Sequence, residues 1–494
     1  MNSDESTKKK ILFIARSFDG ESLGIEYLSA MLRERGHKRD LLLWYEERNF
    51  RTRLINKIRN FKPDFICFSV VTNNYLWASR IARLAKEIKD IPIVFGGIHV
   101  TSCPEEVIQN KFVDYAVLGE GEETIIELVE NKNKNNIRNV WSKKGKKIIK
   151  NSLRLLIQNL DLLPFPDREL YYKEAPYLKN ICYFMTSRGC PFNCTYCFNS
   201  YLKKVYNGER WYRRRSVKNA IEELKIIKSK WKPNYFFILD DCFTADKEWI
   251  SEFCKEYKKE INLPFNFLTA IVFLDKKILS MLKYAGCYGI EIGVQTPIES
   301  IRRDICKRYE TNELIKKRID EIKKSGISVG LDHIFCLPTE KISDYNEGLK
   351  FYIDTNPTEF VLHKLQYYPN TEMIDLGLKY GNLTEKNVED IKKGKINSGV
   401  MEKDVIFSKE IDEINNFLKW IPFFPKWFNL WLLKNRLYTI IPRNKTFNKL
   451  TMIIPYFYSI QAMKYFIRGR LNRIIYRRYL LKSRMEEEIA LKKV

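Results

Sequence analysis

Residues Arg188 to Phe198 read R-G-C-P-F-N-C-T-Y-C-F. The stretch follows an apolar run, Tyr183–Ser187, that reads as a strand, so Cys190, Cys194 and Cys197 fall on the loop leaving that strand. Spacings of three and two residues let three thiolates reach three corners of a cubane iron–sulfur cluster. A cluster held entirely by protein needs four cysteines, so the fourth iron is left open to a substrate or cofactor. Zinc is the alternative metal, but a structural zinc site wants four ligands, and the nearest histidines, His99 and His333, are far away in sequence.

Outward from this loop the chain repeats. Strands are expected at Tyr183–Ser187, Tyr235–Leu239, Phe265–Ala270, Gly289–Val294, Ser328–Phe335 and Glu359–Gln366, with helical patterns between them. Six β/α units over residues 179–380 predict a partial (β/α)6 barrel of TIM type with its chemistry at the strand carboxyl ends. Residues 146–178 read as a linker containing LPFPD (Leu163–Asp167). Before them, over residues 1–145, short apolar strands at Ile11–Ala15, Leu41–Trp44, Phe65–Val70, Pro92–Phe95 and Tyr115–Leu118 alternate with amphipathic helices. That pattern predicts an α/β, Rossmann-like domain whose parallel sheet binds ligands in the loops after Ala15, Ser69, Phe95 and Leu118. Residues 381–494 form a basic, aromatic segment expected to be helical.

Composition bounds the rest. At 494 residues, 45% of them hydrophobic and 14% aromatic, the chain has material for two or three cores and is not generally disordered. Eleven cysteines, without framework spacing, suit buried thiols plus a metal site better than disulfides; Cys67, Cys182, Cys254 and Cys287 are expected to be buried thiols. The polar start with its short apolar run is not a signal peptide and no stretch is long enough to span a bilayer, so a cytoplasmic location is expected. The net charge of +25 is concentrated: between Ile421 and Met485 there is no Asp or Glu. Such a segment attracts anionic partners, and its aromatic–basic interleaving predicts a helix at an anionic membrane surface, on the inner face, or a helical cap over the active-site mouth. No nucleic-acid module is recognisable, which disfavours nucleic acid.

The CxxxCxxC loop resembles the signature of the radical S-adenosylmethionine superfamily. The resemblance implies a [4Fe-4S] cluster on Cys190, Cys194 and Cys197 whose open iron binds S-adenosylmethionine, with Phe198 packing near the adenine. ILDD (Ile238–Asp241) ends the next strand, where the family holds the methionine amino group, which makes Asp240 and Asp241 candidates. GIEIGVQT (Gly289–Thr296) resembles the strand that meets the ribose, pointing to Glu291 or Gln295. DHIFCLPTE (Asp332–Glu340) matches a strand-and-turn in which Cys336 stands where the family usually has glycine.

The first domain resembles the cobalamin-binding domain that precedes the barrel in one branch of the superfamily. The match rests on DGESLG (Asp19–Gly24), SVV (Ser69–Val71), GGIH (Gly96–His99) and LGEGEET (Leu118–Thr124). It places Ser69, Val71, Thr72, Gly96, Gly97, His99 and Gly119 around cobalamin, with the loop Val70–Tyr75 beneath cobalt. Glu21 stands where the family's cobalt-ligating histidine occurs, which implies cobalamin without histidine ligation, and His99 is expected to hydrogen-bond rather than ligate. Together the two resemblances imply a methyltransferase acting on an unactivated carbon; the substrate is expected to be a small molecule or, given the basic aromatic tail, a lipid, and the basic surface suits an acidic flavodoxin or ferredoxin as electron donor. A non-methylating radical cyclase, ring-rearranging or oxidising enzyme is the alternative within the family. A membrane- or nucleic-acid-binding protein with a structural cluster is the alternative outside it.

Overall fold

The computed structural model of the chain describes residues 8–16, 20–45, 49–131, 133–395 and 405–441. The first sheet has seven strands: β1 (Lys10–Arg16), β2 (Lys38–Trp44), β3 (Phe65–Ser69), β4 (Ile93–Gly96), β5 (Tyr115–Val117), β6 (Val140–Lys144) and β7 (Lys147–Lys150). Their order is β2-β1-β3-β4-β5-β6-β7, parallel up to β5 and antiparallel beyond it. Helices α1 (Leu23–Glu34), α2 (Phe50–Phe61), α3 (Tyr75–Ile88), α4 (Ile98–Ser102), α5 (Pro104–Gln109) and α6 (Glu122–Glu130) accompany them. The β1 run KILFIAR is buried on both faces at Ile11–Ile14, as a central strand of a covered sheet must be. One face packs with α1 and α6 (Phe13, Ile25, Leu32, Ile125) and the other with α2 and α3 (Leu12, Leu54, Ile81). The hairpin of β6 and β7 corrects the sequence reading, which ended the domain at residue 145 and began the linker at 146. Trp141 packs on the core and pairs through the backbone with Ala116, so the first sheet runs to Lys150.

The linker folds as the short helix α7 (Glu169–Glu174) and leads into β8 (Ile181–Phe184). A two-stranded antiparallel pair, β9 (Ser187–Arg188) and β10 (Arg213–Arg214), brackets the cysteine loop and the helix that follows it, α8 (Phe198–Val205). The remaining strands are β11 (Tyr235–Ile238), β12 (Phe265–Thr269), β13 (Cys287–Gln295), β14 (Ser328–Phe335) and β15 (Glu359–Lys364). They join β8 in one all-parallel sheet of order β15-β14-β13-β12-β11-β8, the open six-stranded barrel read from the sequence. Cys67, Cys182, Cys254 and Cys287 are all buried and free. The described part of the carboxyl-terminal region is helical, at Val405–Trp420 and Lys426–Lys434. The aromatic and basic runs beyond residue 441 lie outside the described residues.

Candidate cluster and cofactor site

The cysteine loop is held by the protein rather than by disulfides, since all three of its thiols are free. Gly189 takes φ +81°, and a Cβ there would overlap the Trp211 carbonyl oxygen, so only glycine turns the chain at this point. Upstream of the turn the strand end is tied to Asp240. This carboxylate accepts from Thr186 N at 2.6 Å, Ser187 N at 3.2 Å, Ser187 Oγ at 2.8 Å, Arg214 Nη2 at 3.2 Å and the Thr186 hydroxyl. Both its oxygens are thereby used, and Asp240 is 1% exposed. Asp240 is thus an anchor for the loop, not an acceptor free for the methionine amino group; that expectation passes to Asp241, which lines the cavity with Phe198, Asn199 and Leu239. Phe198 rests on Tyr368, with ring centroids 4.5 Å apart.

The same cavity, about 420 Å³, is walled on its other side by the carboxyl ends of the first sheet, through Ser69, Gly96, Gly97 and Gly119. It continues as an apolar slot between the sheet and helices α1 and α6, past Phe13, Cys67, Leu28 and Ile125. Glycine lets the backbone pack closely around this slot. A Cβ on Gly121 would stand 3.3 Å from Leu28 Cδ2, and one on Gly97 (φ +102°) would stand 2.8 Å from Val70 O and 2.9 Å from Val70 N. The strand ends, the slot and the two ends of the cysteine motif, Arg188–Gly189 and Phe198, therefore share one hollow, which Cys190, Cys194 and Cys197 do not themselves line.

Three expected cofactor residues lie elsewhere. Val71 is 44% exposed and outside the cavity wall. Thr72 and His99 are buried behind the loop, with His99 Nδ1 and Thr72 Oγ1 3.2 Å apart and the imidazole on Tyr75 at 4.5 Å. Burial pushes His99 down to about 4, so it stays neutral and props the Val70–Tyr75 loop. Glu21 also faces away from the cavity. Its carboxylate accepts from Arg168 Nη1 and from Tyr183 N, each at 2.9 Å, because the loop before α1 is packed against β8 and the linker.

Glu291 and Gln295 sit inside the barrel. Gln295, at φ +69°, lines a second hollow with Tyr196, Asp332, His363, Gln366 and Tyr368. Gly330 stands in register between Glu291 and Glu359, leaving room for both carboxylates. Burial, then the charge of Glu291, pushes Asp332 up to about 8 and Glu359 up to about 7. Cys336, where the family has glycine, takes φ +67°, a left-handed conformation that favours glycine.

Residues 9–129 match the model of the B12 binding domain, and residues 184–352 match that of the radical SAM superfamily. The chain belongs to the radical S-adenosylmethionine superfamily, in its cobalamin-binding branch. An uncharacterized methyltransferase of Pyrococcus horikoshii is 28% identical over 74% of this chain and 81% of its own. An anaerobic magnesium-protoporphyrin IX monomethyl ester cyclase of Rubrivivax gelatinosus is 26% identical over 61% of this chain and 56% of its own, so this chain spans little more than half of that relative. In fold, the chain resembles the radical S-adenosylmethionine methyltransferase TsrM from Kitasatospora setae, solved with cobalamin and a [4Fe-4S] cluster (TM-score 0.63, 15% identity, 74% of each chain). It also resembles the cobalamin-dependent enzyme OxsB (TM-score 0.61, 18% identity, 97% of this chain and 75% of that one).

The residues present fit both groups. Among the described residues no three His, Cys, Asp or Glu side chains converge on a single ion. A cubane instead takes its three thiolates at separate corners, from a preformed loop. Burial pushes the Cys190 thiol up to about 12 and the Cys197 thiol up to about 11, so iron must displace their protons on binding. For cobalamin, the glycine-lined strand ends and apolar slot give the close backbone approach that a nucleotide tail requires.

Sequence reading passed over the residues that join the two halves. Arg188, the first residue of the cysteine motif, donates to Glu120 at 2.9 Å and Glu122 at 2.6 Å of the first domain. Arg213 reaches Glu120 at 3.0 Å, and these arginines hold the Glu120 carboxyl below its ordinary value against its burial. Asn73 Nδ2 donates to Gln366 Oε1 at 2.8 Å, clasping the Val70–Tyr75 loop to the end of β15. The signal was available in LGEGEET and PFPDR, where charged side chains interrupt otherwise apolar or extended sequence.

Proposed function

We propose that this protein methylates an unactivated carbon of a small-molecule substrate, at the hollow shared by the cysteine loop and the first sheet. The observation that carries the reading is that single cavity, walled by Gly96, Gly97 and Gly119 on one side and by Phe198, Asn199 and Asp241 on the other. When bound, the cluster supplies the electron that opens the sulfonium of S-adenosylmethionine, and cobalamin carries the methyl group. The chain's own residues do the rest. Cys190, Cys194 and Cys197 hold the cluster; Asp241 accepts from the methionine ammonium; Phe198, backed by Tyr368, covers the adenine; and Glu291 or Gln295 binds the ribose. Ser69, Gly96, Gly97 and Gly119 line the cobalamin side. The apolar walls exclude water from a site where a radical must survive.

Reconstituted enzyme incubated with methyl-deuterated S-adenosylmethionine and a small-molecule extract should yield a product carrying the labelled methyl. A product lighter by hydrogen and free of label would instead establish the cyclase-type reaction, the alternative that the relationship to the Rubrivivax cyclase keeps open. The basic surface suits an acidic flavodoxin or ferredoxin as electron donor.

A second reading concerns location and rests on the helix Lys426–Lys434. Its Trp427 is 70% exposed and its Trp431, one turn on, 48% exposed, beside Ile440 at 74%. No helix among the described residues is long and apolar enough to cross a membrane. Exposed tryptophans at the edge of a sequence rich in Lys and Arg and free of Asp and Glu suit an anionic bilayer surface, and a lipid or isoprenoid substrate could then be reached there. The double variant W427S/W431S should lose most of its sedimentation with phosphatidylglycerol vesicles while keeping its cluster absorbance. Unchanged sedimentation would end this reading.

A further inference from the structure

Arg308 lies on the segment between β13 and β14, where Lys307 turns the chain at φ +54°. Its guanidinium is held by a carboxylate, a backbone carbonyl and an aromatic ring. Nε and Nη2 donate to the Glu310 carboxylate at 3.2 and 2.6 Å, and Nη2 also donates to Gly293 O at 3.0 Å. The Phe192 ring lies under it, with Cζ 5.1 Å from the centroid. Nη1 remains, and it stands 4.0 Å from Cys194 Sγ. Arg308 is 8% exposed and Cys194 7% exposed, so solvent does little to screen the contact. The donor facing Cys197 is the uncharged amide of Asn199, 3.8 Å from that sulfur. A fixed cation is thus aimed at one of the three thiols.

We infer that Arg308 is a positioning residue for electron delivery: its charge, fixed at Cys194, makes the cluster easier to reduce, and Glu310 sets how much of that charge is felt. The inference rests on the reading that Cys190, Cys194 and Cys197 hold the cluster. Charge and hydrogen bonds at the ligand sulfurs are among the main determinants of an iron–sulfur potential. Reduction adds one negative charge, which a neighbouring guanidinium stabilises and a neighbouring carboxylate opposes. Arginine suits the task because it remains charged when buried. Its fork also holds Glu310 and Gly293 O while leaving one nitrogen for sulfur.

The test is a potentiometric titration of the reconstituted protein without S-adenosylmethionine, followed by the electron paramagnetic resonance signal of the reduced cluster. Iron content is measured on every sample. Arg308→Gln should lower the ratio of reduced to oxidised cluster at a given potential at least about tenfold, equivalent to ~59 mV for a one-electron couple. Glu310→Gln should move it in the opposite direction, and Arg308→Lys should stay close to wild type. A purely structural Arg308 would not give opposite signs for the two neutral variants. An unchanged ratio in Arg308→Gln with iron retained, or a Glu310→Gln shift in the same direction as Arg308→Gln, overturns the inference. Should Arg308→Gln fail to hold iron, the sign of the Glu310→Gln shift decides. Absence of iron from the wild-type chain itself would instead strike the cluster assignment.

Discussion

Replacing Cys190, Cys194 and Cys197 together with alanine should leave a folded protein without cluster absorbance and without 5′-deoxyadenosine formation. Iron should fall from about four atoms per chain to background. The expectation of a folded variant comes from how the loop is built. Its entry is tied by the bonds of Thr186 and Ser187 to Asp240, and its turn is set by Gly189 at φ +81°. Its far side is held by Thr195 Oγ1 donating to Ile305 O at 2.5 Å and by Met373 N donating to Thr195 O at 3.0 Å. None of these supports uses a cysteine. The control is Cys254→Ala or Cys287→Ala, which removes a buried thiol from the hydrophobic core and should cost some stability but no iron. Iron assay and chromatographic detection of 5′-deoxyadenosine read the result. Cleavage surviving in the triple variant would refute the assignment, and loss of iron together with loss of fold would favour a structural cluster.

How much of this was legible in the sequence depended on what kind of signal each part leaves. The sheets were legible because a parallel strand covered on both faces must be an apolar run, and Ile11–Ile14 and Phe65–Phe68 are such runs. The β6–β7 hairpin was not, because only Val140, Trp141, Ile148 and Ile149 among its nine residues are apolar and the rest are four lysines and a serine. The cysteines were legible because their spacing is itself the chemistry. Choosing between Asp240 and Asp241 was not possible from ILDD, since neighbouring residues at a strand end point to opposite sides and only the fold shows which side is the cavity. Glu21 is the sharpest case. By position it stood at cobalt, yet a carboxylate two residues before an α1 core position (Leu23) can equally turn back into the protein. The partner that draws it there, Arg168, is 147 residues away.

Arg168→Met should be the most destabilising single substitution outside the cores, costing about 3–5 kcal/mol, the usual loss when one partner is removed from a buried ionic network. Arg168 is 1% exposed and bridges the two halves, with Nη1 on Glu21 and Nη2 on Glu223, each at 2.9 Å. Glu26 Oε2 is 3.8 Å from Nη1, and Arg215 holds the other oxygen of Glu223 at 2.5 Å. Three buried carboxylates thus face two guanidiniums, and the surplus is relieved by keeping a proton. Burial, against the pull of Arg168, pushes Glu21 up to about 7, while burial and the charge of Glu21 raise Glu26 as well. The sign of the pH dependence follows. Between the ordinary carboxyl value of 4.5 and about 7 the folded chain binds a proton that the unfolded chain has released. Stability from this network is therefore greatest on the acid side and declines as pH rises through that window. Glu26→Gln removes the surplus charge, so its urea midpoint should vary less between pH 5 and pH 8 than that of the wild type and should lie higher at pH 8. Arg168→Met should show the reverse, a steeper decline with rising pH, because its carboxylates have lost a cation. Equal slopes in all three proteins would mean that the proton is not held here. The network would then join the domains as fully ionised pairs, with Glu21 still held by Arg168 and Tyr183 N.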